Sequence, residues 1–448
     1  MSNFSKQIRR LSPVQMILLY YFIAVAFSTA LLCMPVAYQP GVHIAFIDKL
    51  FVAVSALSVT GLTPISIASS LSTTGIFFLA LILQLGAVGI MAIGTSIWLL
   101  LGKKIGFKER RLIMTDQNQT KFEGMVRLIK QIIVVVFVIE FIAFVVLGTY
   151  FLKYYAPGKA YLNGFFSTIS AISNGGFDIT GDSLISYQHD YFIQFITMLL
   201  IIFGAIGFPV LIEVKEYLFS KNNTFRRFSL FTKVTSITFF ILIVVGALLI
   251  YLLDAKHFFA GKSWHEVLFY ALFQSVTTRS AGLTTMDITQ LTEPNHLVMS
   301  LLMFIGASPS SAGGGVRTTT FALVVIFIIT YARGGNNIRI FRREVHEEDL
   351  YKAVVVMLLA IMIVYISTIT ISAIESISVT TAFFEATSAF GTVGLSLGVT
   401  PQLGIVSKLI LMLLMFIGRV GIITALFMFK RNRGGGKYHY PKERIIIG

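Results

Sequence analysis

The chain has 448 residues, 56% of them hydrophobic and only 13% charged, with 40 Phe and a mean hydropathy of +0.81; that composition excludes a water-soluble domain and points to a polytopic membrane protein. The net charge of +15 does not mark a nucleic-acid binder, because 27 of the 36 Lys and Arg fall in five segments, 6–10, 103–130, 215–233, 333–352 and 430–444. Their alternation with stretches poor in basic residues is a topology signal that puts these segments on the cytoplasmic side, facing anionic membrane lipids or a cytosolic protein.

Lys6, Arg9 and Arg10 lead into Met16–Val36, a charge-free stretch of spanning length. No small-residue cleavage site follows, so it reads as a retained first helix. The only cysteine, Cys33, lies inside this run and supports neither a disulfide within the chain nor a thiolate metal cluster. After Pro40-Gly41, residues 46–57 form an apolar run too short to span, which predicts a re-entrant helix. Ser58–Leu62, with Thr60-Gly61, follows as a short glycine-bearing segment, and residues 75–101 return across the membrane.

The same order comes back three times. Residues 129–151, 164–172, 173–177 and 192–218 form the second copy, with Gly175-Gly176 in its short segment. Residues 231–253, 267–277, 278–283 and 297–331 form the third, with Ala281-Gly282, and residues 353–373, 381–389, 390–395 and 405–429 form the fourth, with Val393-Gly394. The spacings from Gly61 to Gly176, Gly282 and Gly394 define a whole-chain period. The expected fold is an all-α polytopic membrane protein of four tandem helix, pore-helix, filter and helix repeats around a pseudo-fourfold pore. It has eight transmembrane helices and four re-entrant ones. The units are 1–113, 114–228, 229–345 and 346–432, with a flexible basic tail at 433–448 that carries Gly434-Gly435-Gly436 and ends in an apolar tip. An even number of crossings leaves both termini cytoplasmic.

Backbone that is neither helix nor closed barrel is tolerated at membrane depth only where it lines a cavity or is buried in protein. Four such segments on one axis would form rings of carbonyl oxygens able to replace the water around a cation. Glycine there permits backbone angles closed to other residues, and helix C-termini aimed at the site favour cations. The filter residues are therefore Thr60, Gly61, Gly175, Gly176, Ala281, Gly282, Val393 and Gly394, and since no acid occupies these cores the expected ion is potassium.

About 25 residues beyond each filter glycine comes a second break: Gly86-Ala87-Val88-Gly89, Gly204-Ala205-Ile206-Gly207, Gly306-Ala307-Ser308-Pro309 and Gly418-Arg419-Val420-Gly421. Close packing of helices and a functional break are both open readings in three of them. In the third, residues 306–316 are too rich in Gly, Ser and Pro to stay helical, which predicts a loop beneath the filter acting as a gate, with a static structural kink as the alternative; Gly306, Ser308, Gly313, Gly314, Gly315 and Arg317 are the gate's parts. Arg317 either tethers that loop or snorkels to the membrane edge. Arg419 costs about 2.5–3.5 kcal/mol on insertion scales and must face water or a partner; it is either a fixed positive barrier below the filter or one half of a salt bridge to Glu140 or Glu385. Arg279 reads as a brace behind the filter and Asp178 as a loop acid or an outer attractor of cations. His346-Glu347-Glu348-Asp349 reads as a solvated face rather than a metal site. There is no Walker loop, dinucleotide fingerprint or paired catalytic constellation, so an enzyme is not expected.

Taken together, the four glycines, the interruption in the third copy alone and the arginine in the fourth break resemble the Trk/Ktr/HKT family of potassium transporters, nearest to the bacterial Ktr membrane subunits. The resemblance covers essentially the whole chain. It implies a homodimer in the plasma membrane and a separate cytosolic RCK-type regulatory ring that binds ATP, ADP or another nucleotide. It also gives Arg419 the role of a barrier to conduction. Glycine at Gly61, where some relatives have serine, implies preference for potassium over sodium. Sodium as an activator, or a sodium-coupled or weakly selective pathway, remains the alternative.

Overall fold

The computed structural model describes residues 13–89, 125–219, 228–335 and 337–427, together with Glu443. The basic loop at 103–124, the end of the first returning segment and most of the C-terminal tail lie outside the described residues. Four long helices set the frame: α1 (Pro13–Cys33), α4 (Met125–Phe151), α8 (Leu230–Asp254) and α12 (Glu347–Glu375). Among the described residues these four are long and apolar enough to cross a membrane, and well under half of each apolar window is buried within the protein. Residues such as Phe141, Val244 and Tyr365 stay exposed along them, as lipid-facing side chains do.

Each long helix packs on a short one that follows it: α2 (Phe46–Leu57), α5 (Pro157–Ile172), α9 (Trp264–Thr277) and α13 (Val379–Phe390). The last two short helices begin at polar stops, while α2 and α5 begin after Ala45 and Ala156 without a side-chain cap. Ser378 accepts from the Thr381 amide at 3.1 Å, and Ser263 and Glu266 form a reciprocal capping box. Their hydrophobic anchors Phe51, Phe166 and Phe384 are fully buried.

The returning helices are α3 (Thr73–Val88), α6 (Tyr191–Ala205), α10 (Glu293–Phe304) and α14 (Ile405–Val420). Each packs against the short helix of the next unit: α3 on α5, α6 on α9, α10 on α13, and α14 back on α2. The arrangement therefore closes on itself. An ion pair joins the closing seam, with Lys408 Nζ of α14 2.7 Å from Asp48 Oδ1 in the first turn of α2.

The returning segments are not continuous helices. α3, α6 and α14 stop at Gly89, Gly207 and Gly421, whose φ values of 92°, 102° and 92° are left-handed. Beyond the break, α7 (Phe208–Phe219) leaves α6 at 105°, and α15 (Ile422–Phe427) follows α14. Gly421 and Gly207 thus turn the chain inside the returning stretches 405–429 and 192–218, where close packing and a functional break were both open readings. In the third unit the break is the loop 305–317, after which α11 (Thr318–Ala332) resumes. Among the described residues the departures from an all-α chain are a hairpin of two-residue strands, β1 (Arg339–Ile340) paired antiparallel with β2 (Arg343–Glu344), and an isolated bridge between Tyr38 and Leu71. Glu347, Glu348 and Asp349 form the first turn of α12, where the helix dipole favours acids; among the described residues no cluster of His, Cys, Asp and Glu could hold a metal ion.

Candidate functional site: the glycine ring and the loop against it

The four short helices end in the same way. After each, one residue takes a left-handed φ two positions before the glycine, and the glycine takes one itself: Val59 (58°) and Gly61 (92°), Asn174 (57°) and Gly176 (66°), Ser280 (77°) and Gly282 (74°), Thr392 (48°) and Gly394 (99°). Left-handed backbone at β-branched Val59 and Thr392 is uncommon and costs of order 1–3 kcal/mol each. The surrounding hydrogen bonds impose it. The amides of Thr60, Gly175 and Val393 donate five residues back to Ser55, Ser170 and Ser388 at 2.8, 2.7 and 2.9 Å, and that of Ala281 donates to Thr277 at 2.9 Å.

Buried hydroxyls complete the scaffold. Ser55 and Ser388 accept from the amides of Gly61 and Gly394 at 3.1 Å each, while Ser170 donates to the Phe177 carbonyl at 2.6 Å and Thr277 to that of Leu283 at 2.5 Å. These four residues escaped the sequence reading, although a hydroxyl recurs five or six positions before every glycine. That regular offset was the available signal.

The structure brings the four glycine segments together in cyclic order. A methyl group added to Gly61 would stand 2.6 Å from the Gly175 carbonyl oxygen, and one on Gly176 would stand 2.7 Å from that of Ala281. One on Gly282 would meet the Val393 oxygen, and one on Gly394 the Thr60 oxygen, closer still. The carbonyl-bearing residues Thr60, Gly175, Ala281 and Val393 and their glycines therefore form one ring with no room for a side chain at Gly61, Gly176, Gly282 or Gly394. No carboxylate belongs to it. Asp178, beyond the second segment, accepts from the Thr180 amide and hydroxyl, the Gly181 amide and the Ser183 amide at 2.7–2.9 Å, so it staples its own loop.

The loop 305–317 lies against the residues that join the last two short helices to this ring, Ser280, Gly391 and Thr392. The Gly314 amide donates to Ser280 Oγ at 3.3 Å, and Ser280 Oγ donates to the Thr392 carbonyl at 2.7 Å. Gly313 packs on Ser280, and a Cβ on Gly314 would come within 2.8 Å of the Gly418 oxygen. Gly306 is pressed against Gly314, Ser308 donates its amide to the Ala205 carbonyl at 3.0 Å, and the Gly315 amide reaches Gly418 at 3.3 Å.

Two arginines grip the segment, and a third holds the helix before it. Arg317 donates to the Ser308 and Gly313 carbonyls, so of its two open roles the tether is the one observed. Arg419 donates to Ser311, Ala312 and Gly313 through Nη1 and to Gly86 and Ala87 through Nη2. It thereby caps the last carbonyls of α3, left open where the helix stops at Gly89, and ties them to the loop. The acids considered as its partners are engaged elsewhere: Glu140 accepts from Gln84, and Glu385 from Ser396, Leu397 and Thr400. Arg279, fully buried behind the ring, donates to the Leu302 carbonyl near the end of α10, the helix that leads into the loop.

The small-residue breaks resolve into two jobs. The first glycine of each of three breaks is a packing residue, since a Cβ at Gly86, Gly204 or Gly418 would strike the terminal carbonyl of α2, α5 or α13, at Leu57, Ile172 and Phe390. The second is the helix stop described above.

A family model described as TrkH, cation transport protein, matches residues 3–437. The chain belongs to the TrkH family. Its relatives include the Ktr system potassium uptake protein D of Bacillus subtilis, 55% identical over 100% of this chain and 99% of that protein. The potassium/sodium uptake protein NtpJ of Enterococcus hirae is 32% identical over the full length of both. The crystal structure of the potassium transporter TrkH from Vibrio parahaemolyticus shares the fold, with a TM-score of 0.68 at 20% identity over 92% of this chain and 84% of that one. Membership in this family makes the chain a multi-pass membrane transporter, not an enzyme.

Proposed function

We propose that this TrkH-family chain is the membrane subunit of a potassium uptake system, conducting potassium through a single-chain pore of four repeats. The observation that carries the reading is the closed ring of Thr60-Gly61, Gly175-Gly176, Ala281-Gly282 and Val393-Gly394, whose glycines leave no room for a side chain and which contains no acid. Carbonyl oxygens arranged so can substitute for the hydration shell of a monovalent cation, and the C-termini of four short helices add the favourable end of their dipoles. Potassium as the ion is supported by the names of the relatives that cover the whole chain.

In this reading the loop 306–316 is the gate. Arg419 and Arg317 hold it against the ring, and their positive charges oppose a cation leaving the filter. The short helices are re-entrant pore helices, and the termini and basic loops face the cytoplasm, where a nucleotide-binding RCK-type ring would regulate a homodimer of this subunit. A sodium-coupled or sodium-activated pathway is the second reading, favoured by the likeness to the potassium/sodium uptake protein.

The test is potassium and sodium flux into liposomes holding the purified chain, with Gly61→Ser beside it. A side chain at Gly61 must displace the neighbouring Gly175 carbonyl, so the variant should lose discrimination between the two ions. Unchanged selectivity in a folded variant would remove the filter assignment. Equal sodium and potassium flux in the unmodified chain would favour the second reading.

A further inference from the structure

Between α3, α4 and α5 the protein carries a groove of about 720 Å³, within the range of pockets that hold one small ligand. Its walls are apolar, with Phe77, Phe137, Phe144 and Phe165 prominent. Its floor is not. Glu140 and Thr168 line it at 7% and 1% exposure, and Gln84 donates from Nε2 to Glu140 Oε1 at 2.5 Å. Gln84 Oε1 and Thr168 Oγ1 are buried there without a hydrogen-bond partner. A carboxyl and an amide oxygen thus stand together and a hydroxyl lines the same groove, and the three groups offer more acceptors than donors.

Depth restricts what can answer them. Glu140 lies about 22 Å from the start of α4 and about 16 Å from its end, by the rise of a helix, so it stands near the middle of a bilayer whose core is about 30 Å thick. Phospholipid head groups stay at the interface, and their acyl tails bring no donor. Unpaired polar groups at this depth are expensive and conspicuous.

We propose that this groove is a binding site for a single-chain amphiphile with a primary ammonium head, seated on Glu140, Gln84 and Thr168 with its chain along the phenylalanine walls. An ammonium supplies the charge complementary to a carboxylate and three N–H donors, one for each of the three groups. The site also backs onto the ion pathway. Gln84, Leu85 and Val88 of the groove belong to the last turns of α3, and the carbonyls of Gly86 and Ala87 in those turns are the ones that hold Arg419. An occupant braces that turn from the lipid side.

The experiment is a native mass spectrometry titration of the full chain in detergent with dodecylammonium and with dodecyltrimethylammonium, which has the same charge and chain but no N–H donor. One dodecylammonium per chain is expected, with the trimethyl analogue held at least about tenfold more weakly, since hydrogen bonds to charged groups are lost. The combined Glu140→Gln and Thr168→Val variant should lose that preference. Thr168→Val alone, nearly the same shape, should narrow it, and this variant decides the matter should the combined one not fold. Equal binding of the two amines, a preference that survives in the variants, or a second copy of the chain covering the groove and excluding both probes would overturn the proposal. Because the readout is binding, a failure of the potassium reading in flux measurements would leave this result unaffected, and the two failures are told apart.

Discussion

Replacing Arg419 by alanine removes donors to five backbone carbonyls on two elements, the end of α3 and the loop 311–313. Three of those contacts, at 3.3–3.4 Å, are long and weak. Of the contacts to the loop only the one to Ala312 is close, and a hydrogen bond to a charged group is worth about 1.5–3 kcal/mol. The lower figure alone is about tenfold in the population of a loop lifted from the ring. Amide hydrogen exchange across 306–316 should therefore quicken by about tenfold or more in Arg419→Ala, and potassium flux in liposomes should rise. Arg419→Lys separates the two contributions. It keeps the positive charge but loses the fork that spans both elements, so exchange should quicken while flux stays low if charge is the barrier, and both should rise if the latch is. An alanine variant with the exchange and flux of the parent would refute the reasoning.

The Asp48–Lys408 pair, nearly buried, should cost about 3–5 kcal/mol when broken; Asp48→Asn should lower the thermal midpoint, and loss of less than about 1 kcal/mol would show that the seam closes by packing alone. Gly418→Ala forces a methyl into the Phe390 carbonyl and should destabilise by at least about 1–3 kcal/mol, whereas Gly41→Ala, with open space around it and φ of 84°, should cost only about 1 kcal/mol of strain; equal effects in urea unfolding would refute the packing role. Arg279→Met should free the end of α10 and quicken exchange at 302–306 with little change at Gly61. An effect confined to the ring would relocate its function. Asp287, in the connection between the third glycine segment and α10, is held below the usual carboxylate range first by the Thr289 hydroxyl, then by the Thr289 amide and Gln290 against partial burial. Its support is complete above the unfolded carboxyl's value and is lost as pH falls through the lower folded one. Asp287→Asn should flatten that acid limb of stability, and an unchanged limb would assign it to other acids.

Much of this architecture is legible in the residues, and the limits have physical causes. The bounds of α2 coincide with the apolar run 46–57, and α9 and α13 end within a residue of their expected ends, because a short helix that stops at a glycine segment leaves a clear hydropathy edge. The glycines of the ring stand out because backbone crowding admits nothing else there. Left-handed φ at Val59 and Thr392 does not show in the sequence, since tertiary hydrogen bonds force it on residues that resist it locally. That Gly89, Gly207 and Gly421 end their helices rather than only let them pack closely does not show in the sequence, because apolar residues flank them on both sides and hydropathy is blind to a single dihedral. The partners of Arg419 were hidden for a related reason: a charge search looks for carboxylates, and this guanidinium is satisfied by carbonyls.

The seam between α14 and α2 bears on the order of assembly. Each short helix leans on a returning helix from the unit before it, and for α2 that neighbour is α14, about 350 residues downstream. During synthesis the first quarter of the ring is made early yet stands open on one flank until the last helix arrives. Long-range closure of this kind is slow and exposes unfinished surface meanwhile. A chain cut before Ile405 would accordingly lose the geometry of all four glycine segments rather than one quarter of it.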